Sequence, residues 1–245
     1  MPPKKKDSFR FPSNYEEISE THLEILRLAE LLLGSLGTTG LELKSIAIKL
    51  EVSPSLIHHY YTSSEEMIFD TVIYSYSRHI KKIQDQNIYE VDPELVARSW
   101  IKETLAWTQT YPGIGVILEF PRQVLRSGSK KVEEPELMLS HFVKIVSTYG
   151  VGNVAFMASA VRAIQKKKEF KVLAPTKIAA LIASDSKFAM YASVLGFATL
   201  GGGLWIAGRR PADNKNPFWM KQGFNPAKQM QNSIDEFIQV IKRGG

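Results

Sequence analysis

Apolar side chains recur at three- and four-residue spacing along most of this chain, and that spacing is typical of amphipathic helices. No stretch alternates apolar and polar side chains as a half-buried strand would. The first helix is predicted over residues 13–36, since Ser13 and Glu16 form a capping-box pattern and Gly37 follows the last apolar position. The pattern therefore predicts an all-α protein.

Two short helices are predicted directly after this first one. One covers residues 43–50, with its apolar side chains on one face. The other covers residues 54–60, because Ser53 supplies an N-cap and Pro54 occupies the first helical position. A short helix, a tight turn and a second short helix that starts with small polar residues are typical of a helix-turn-helix.

Longer helices are predicted over the rest of the chain, with proline and glycine at many of their ends. A polar loop is predicted at residues 127–134, and Pro121 is expected to bend the helix that contains it. The predicted helices cover residues 65–86, 92–110, 112–126, 135–149, 153–168 and 188–208, followed by a last helix from Pro226.

The stretch 188–208 contains no charged residue, and its length would suffice for a membrane span of about 20 residues. Ser193, Thr199 and three consecutive glycines dilute its apolar character. A lone span here would also separate the last helix from the domain on which it should pack. We therefore predict a buried helix, no membrane, and a homodimer that forms through residues 187–208 and 226–242. A membrane span is the weaker alternative.

Residues in and around the two short helices follow a known pattern at Ile25-Leu26, Ala29, Leu32-Leu33, Gly37, Ile46-Ala47, Val52-Ser53, Tyr61 and the run from Ser63 to Met67. They resemble the DNA-binding domain of TetR-type transcriptional regulators, and the resemblance covers roughly the first third of the chain. The tyrosine and lysine of the family pattern normally hold DNA phosphates, and this chain has His58 and Ser64 there. The family also usually has Thr-Ser at Leu41-Glu42, glycine at Glu51, histidine at Tyr60 and phenylalanine at Tyr61.

The resemblance implies an all-helical homodimer with an N-terminal helix-turn-helix domain and a larger ligand-binding and dimerisation domain. Residues 1–12 would be a flexible basic arm, which is either a solvated tail or a DNA contact. Residues 13–64 would form the DNA-binding domain. Residues 65–245 would form the effector-binding and dimerisation domain, with residues 65–86 as a connector helix.

The start of the second short helix is the expected point of DNA contact, because the N-terminus of a recognition helix enters the major groove. Small hydroxyl side chains can reach base edges or phosphates there. The predicted DNA-binding residues are Lys44, Ser53, Pro54, Ser55, His58, His59, Tyr60, Ser63 and Ser64.

Charge is divided unevenly along the chain. The net charge of all 245 residues is +6, but residues 1–86 contribute −2 and residues 87–245 contribute +8. The predicted DNA-binding part is therefore the acidic part, and DNA binding cannot be argued from net charge. Cysteine is absent, which excludes disulfides, thiolate metal sites and cysteine nucleophiles. The first residues contain no apolar core of a secretory signal, so a cytoplasmic location is expected.

Candidate catalytic and metal-binding groups are few. Ser55 and His59 lie one helical turn apart, yet no carboxylate near them in sequence could orient the histidine. His58 and His59 point about 100° apart on a helix and cannot easily chelate one metal. We therefore expect no enzyme activity, no metal and no cofactor. A small-molecule-binding protein of the same fold, with weak or lost DNA binding, is the alternative function.

The resemblance implies a ligand cavity in the helices that follow the connector helix, and large aromatic and flexible side chains there can line a cavity for a small, largely apolar effector. Tightly packed core is the competing interpretation of the same residues. The basic run at residues 166–171 is most simply the solvated end of a helix, and a site for an anionic ligand is its alternative. The predicted effector-pocket residues are Val96, Trp100, Trp107, Phe120, Leu125, Met138, Phe142 and Met157.

Overall fold

The computed structural model describes residues 11–12, 14–36, 41–126, 134–207 and 226–243. These residues form helices, turns and loops, and they contain no strand. The predicted all-α class is therefore confirmed. The helices are α1 (Glu20–Leu36), α2 (Leu43–Lys49), α3 (Pro54–Tyr60), α4 (Ser64–Gln86), α5 (Pro93–Thr110), α6 (Pro112–Glu119), α7 (Arg122–Arg126), α8 (Pro135–Lys166), α9 (Pro175–Ser184), α10 (Ser186–Ala207) and α11 (Pro226–Arg243).

Proline is the first residue of six of the helices that the structure describes. Its ring pre-sets the helical backbone angle, and its missing N–H would have no partner at that position anyway. Five predicted helix starts are accordingly confirmed within one residue, namely those at or next to Pro54, Pro93, Pro112, Pro135 and Pro226. The sequence interpretation did not identify α9, which also begins at a proline.

The first helix begins at Glu20, and the prediction that it starts at Ser13 was wrong; Ser13 itself lies outside the described residues. Asn14 accepts a hydrogen bond from the Glu16 N–H at 3.0 Å, which stabilises a turn in place of a helix. Ser19 is the effective cap, because its Oγ accepts from the His22 N–H at 3.2 Å.

The predicted break in the middle of α8 was also wrong, since one helix runs from Pro135 to Lys166 through Gly150 and Gly152. The buried positions Phe142, Phe156 and Ala160 keep helical phase on both sides of the glycines. Each glycine costs about 1 kcal/mol relative to alanine in a helix. Burial along the continuous apolar face offsets that cost.

Pro121 has a larger effect than the predicted bend. The helix ends at Glu119, and a separate helix starts at Arg122. Proline has no N–H to donate, and its ring pushes the preceding residue, Phe120, out of the helical region. The Phe120 backbone accordingly has φ −131° and ψ 59°. The loop predicted at residues 127–134 falls almost wholly outside the described residues.

The chain divides into two compact units, Met1–Arg78 with Tyr111–Thr148, and His79–Thr110 with Tyr149–Gly245. In the first unit, α1 contacts α2 and α6, and α2 contacts α3. In the second unit, α10 contacts α5, α9 and α11. The domain boundary predicted between residues 64 and 65 stays a prediction.

The core of the second unit forms around one face of α10, where Phe188, Tyr191, Ala192 and Leu195 are buried. A helix in this stretch was predicted and is confirmed. No single helix among the described residues is long and apolar enough to cross a membrane. The bent pair Pro175–Ser184 and Ser186–Gly196, with 117° between its parts, passes that test by length and composition.

Polar groups inside the second unit are matched to partners. Trp100 donates its Nε1–H to Asn153 Oδ1 at 2.8 Å. His79 stacks on Trp107 with ring centroids 4.8 Å apart, and its Nε2 lies 3.3 Å from Thr104 Oγ1. Burial in this apolar surrounding lowers the pKa of His79 to about 4, so the ring is neutral near pH 7.

Candidate nucleic-acid interface

The turn between α2 and α3 closes through a left-handed residue, Glu51, with φ 56°. Its N–H donates to Ile48 O at 3.2 Å, and the Val52 N–H donates to Ala47 O at 3.0 Å. These two bonds are the Schellman motif that commonly ends a helix, in which glycine is the favoured residue. Glutamate therefore occupies the position where the TetR-type pattern has glycine, and the turn forms nonetheless.

The start of α3 is shaped by Ser53. Its Oγ accepts from the Leu56 N–H at 3.3 Å and lies 3.0 Å from Ser55 Oγ. Ile57 is completely buried and holds the helix against the rest of the first unit. His58 and His59, which follow it on the helix, are exposed. The helix thus presents two hydroxyls and two imidazoles to solvent.

The end of α3 is tied down through two tyrosines. The Tyr60 hydroxyl lies 3.1 Å from Ser19 Oγ, and its ring centroid lies 4.9 Å from that of His22. The Tyr61 side chain is buried and donates to Asp70 Oδ2 on α4 at 2.8 Å. Both contacts limit how α3 can turn relative to α1 and α4.

Asp70 is the centre of this arrangement, and only 1% of the residue is exposed. Its carboxylate accepts from the Tyr15 hydroxyl at 2.5 Å and from the Tyr61 hydroxyl at 2.8 Å, and His22 Nε2 lies 3.1 Å away. Burial, with the Asp70 carboxylate beside it, raises the pKa of Tyr61 well above its usual value. Tyr61 therefore remains a proton donor, and the cluster joins α1, α3 and α4 into one frame.

The predicted DNA-binding residues differ in exposure. Tyr60 and Ser64 are half-buried. Ser63 is buried, and its Oγ accepts from the Glu66 N–H at 3.1 Å as the cap of α4. The remaining predicted residues are exposed on α2, at the start of α3 or on α3 itself, and they are Lys44, Ser53, Pro54, Ser55, His58 and His59.

Formal charge over residues 41–60 is balanced. The exposed cations Lys44 and Lys49 are matched by the exposed carboxylates Glu42 and Glu51. This surface therefore offers hydrogen-bonding groups and shape, with no surplus of positive charge. Of the basic arm predicted at residues 1–12, only Phe11 and Pro12 are described, and Phe11 is buried with its ring centroid 5.6 Å from that of His141.

The predicted effector-pocket residues are divided between the two units. Val96, Trp100, Trp107 and Met157 are buried in the second unit. In the first unit, Met138 and Phe142 are buried and Leu125 is half-buried, whereas Phe120 is 58% exposed. Phe142 stacks on Phe69 with ring centroids 4.4 Å apart.

Solved structures with similar folds cover nearly the whole chain. One is a protein assigned as a transcriptional regulator from Saccharomonospora viridis, solved in complex with choline, with a TM-score of 0.59 at 12% identity over 91% of this chain and 97% of that one. Another is the fatty acid degradation regulator FadR from Bacillus halodurans, with a TM-score of 0.54 at 9% identity over 92% and 96%. A third is a regulator of the TetR/AcrR family from Thermobifida fusca, with a TM-score of 0.51 at 12% identity over 92% and 98%.

This chain has the TetR-type fold. The resemblance inferred from its first third is therefore confirmed at the level of the fold, and it extends along the chain. No protein-family model matches the sequence, and no curated protein matches it. At identities of 9–12%, the likeness shows a shared fold alone.

The Asp70 cluster was not identified from the sequence. Tyr61, His22 and Tyr15 lie 9, 48 and 55 positions from Asp70 in the sequence, so no local spacing indicates that they meet. Among the described residues, no group of three or more His, Asp or Glu side chains could hold a metal ion.

Proposed function

We propose that this protein is a DNA-binding transcriptional regulator of the TetR type. One observation supports this most strongly: α3 presents Ser53, Ser55, His58 and His59 to solvent while the Asp70 cluster holds the helix in place. A pre-organised recognition helix loses little conformational entropy on binding. The fold shared with known regulators agrees with this role.

The proposed operator has two-fold symmetry. A homodimer would insert its two copies of α3 into successive major grooves, with half-sites about one helical turn apart. A small, largely apolar effector would bind the larger domain and favour a form with a different separation of the two helices, which lowers DNA affinity. We propose repression relieved by such an effector. The protein of similar fold that was solved in complex with choline supports a role for a small-molecule effector.

Replacing His58 and His59 together with alanine is expected to weaken binding to the specific operator by at least about tenfold. Each base-edge contact contributes about 1–3 kcal/mol, and both side chains are exposed, so their removal leaves the helix intact. Footprinting at fixed salt, on DNA from upstream of the protein's own gene, measures the effect.

The exposed connector residue Gln84 supplies the control, since Gln84→Ala should bind DNA as the unchanged protein does. Circular dichroism should give the same helicity for all three proteins. A double histidine variant that protects the operator at unchanged concentration would refute the assignment of α3 as the recognition helix.

The proposed homodimer uses α10 and α11. Met190 and Val194 lie one turn apart on α10 and are 49% and 42% exposed, and Val240 on α11 is 49% exposed. Changing Met190 and Val194 to lysine is expected to convert the dimer into monomers, because like charges would face each other across a two-fold axis. Sedimentation velocity measures the mass. Val143→Lys, at a position on α8 in the first unit that is 44% exposed, should remain dimeric. An unchanged dimer of the double variant would exclude this interface.

A small-molecule-binding protein without DNA affinity is the second candidate. The balanced charge of residues 41–60 favours it, since most DNA-binding surfaces carry a surplus of cations. Salt-dependent mobility shifts separate the two candidates. Specific binding that weakens as salt rises supports the regulator, and no shift at low salt supports the alternative.

A further inference from the structure

A cavity of about 380 Å³ opens in the second unit, where the start of α5, the end of α8 and the last turn of α11 meet. Its apolar wall is formed by Val91, Pro93, Ala163 and Ile164, of which the last two are buried. A volume of a few hundred Å³ with an apolar wall and a few polar groups is typical of small-molecule sites. None of the predicted effector-pocket residues is part of its lining.

The backbone at this cavity is held by specific bonds. The Phe170 N–H donates to Val91 O at 2.7 Å, and this bond fixes the segment that follows α8 against the turn before α5. Glu90 Oε1 accepts from the N–H groups of Val91 and Asp92, both at 2.9 Å. The opening is therefore shaped by ordered backbone from two separate parts of the sequence.

Two of the acidic side chains at the cavity are already engaged. Asp92 Oδ1 accepts from the Glu94 N–H at 2.8 Å and caps α5. The Glu94 carboxylate forms an ion pair with Lys242. The Glu94 charge is therefore matched within the protein, whereas Asp92 accepts from a neutral N–H group and keeps its negative charge.

Lys167 and Lys168 are different. Both line the cavity and both are exposed, and no carboxylate among the described residues forms an ion pair with either ammonium group. Glu169 is the remaining acid of the lining, and the exposed Lys166 precedes the pair. Asp92 and Glu169 offset two of the three charges of Lys166, Lys167 and Lys168, so a net charge of +1 remains at the mouth of the cavity.

Lys167 also has an unfavourable backbone conformation, with φ 50°. The Lys168 N–H donates to Ala163 O at 3.0 Å and the Lys167 N–H to Ile164 O at 3.2 Å, so α8 ends in a Schellman motif. Glycine adopts that conformation with less strain. Strain at a residue that lines a cavity is the kind of outlier from which a functional role can be inferred.

We propose that this cavity binds a small amphipathic anion. Its carboxylate or phosphate head would lie between the ammonium groups of Lys167 and Lys168, and its short apolar body would cover Ile164 and Val91. Hydrogen bonds between charged partners are about twice as strong as neutral ones, which gives the two lysines most of the selectivity. The site requires only the second unit, so it does not depend on whether the protein binds DNA.

The test is isothermal titration of the full chain with three probes, namely octanoate, octyl phosphate and octyltrimethylammonium. At least one anion is expected to bind and the cation is not. Tighter binding of octanoate supports a carboxylate head, and tighter binding of octyl phosphate supports a phosphate head. The variant with Lys167→Gly and Lys168→Gln is expected to bind the preferred anion at least about tenfold more weakly.

Two controls keep loss of binding separate from loss of folding. Lys167→Gly alone removes one ammonium group and relieves the backbone, so it should weaken binding while the melting temperature stays equal or rises. Lys177→Gln removes an exposed cation that does not line the cavity and should leave affinity unchanged. Equal affinity of the double variant and the unchanged protein, equal binding of the cationic probe, or no binding of either anion at millimolar concentration would overturn the proposal.

Discussion

Replacing Asp70 with alanine is expected to lower the free energy of unfolding by about 3–5 kcal/mol. The carboxylate is buried and accepts hydrogen bonds from the Tyr15 and Tyr61 hydroxyls, with His22 also in contact. Its removal leaves these donors without their acceptor in a site that water reaches poorly. Each unsatisfied buried group costs about 1–3 kcal/mol, and the costs combine.

Asp85→Ala is the matched control, because Asp85 lies on the same helix and is exposed. A surface substitution of that kind should change stability by no more than about 0.5 kcal/mol. Urea unfolding followed by circular dichroism gives both values. A loss below about 1 kcal/mol in Asp70→Ala would mean that the cluster does not hold the frame together.

The same variant should also weaken DNA binding under conditions where it remains folded. Tyr61 follows α3 directly, and its hydrogen bond to Asp70 is the connection from α3 to α4. Without it, α3 can move relative to α4, and the exposed His58 and His59 lose their fixed direction. Tyr61→Phe removes the same hydrogen bond but retains the ring. It should therefore lower stability less than Asp70→Ala does, and it should also weaken DNA binding.

Most of the helices could be predicted from the sequence because their causes are local. Proline at a first helical position marks a boundary wherever it occurs, and Ser53 before Pro54 fixes α3 without reference to any distant residue. The errors arose where two local signals competed. Ser13 and Ser19 both resemble caps, and Asn14 favours a turn between them. Gly150 and Gly152 indicate a break, although the apolar phase around them continues.

The cluster and the cavity could not be predicted in this way. Asp70 meets Tyr15 and His22 only after α1 and α4 have packed. The cavity combines Val91, Ile164 and Lys242, which are far apart in sequence. A basic run at residues 166–171 is visible in the sequence, but nothing local distinguishes a solvated helix end from one that borders a cavity. Such sites depend on tertiary packing, which local sequence patterns do not reveal.

Trp107→Ala and Phe142→Ala are each expected to lower the free energy of unfolding by about 3–5 kcal/mol, as truncation of a packed aromatic does. Trp107 is 8% exposed and stacks on His79, and Phe142 is 1% exposed and stacks on Phe69. Both rings therefore have close neighbours that cannot all move to fill the space left behind. Phe120→Ala is the control, because that ring is 58% exposed and should cost about 0.5 kcal/mol or less.

The two competing roles of these aromatic residues predict different combinations of results. A ring that lines an effector cavity already borders empty space, so its truncation should cost much less than about 3 kcal/mol and should alter the effector concentration that releases DNA. A packed ring should show the full stability loss with an unchanged effector response. Chemical unfolding and operator-release titration of the same two variants distinguish these outcomes. The burial of Trp107 and Phe142 favours the packed role. A small stability loss together with a shifted release curve at either position would instead assign that residue to the effector pocket.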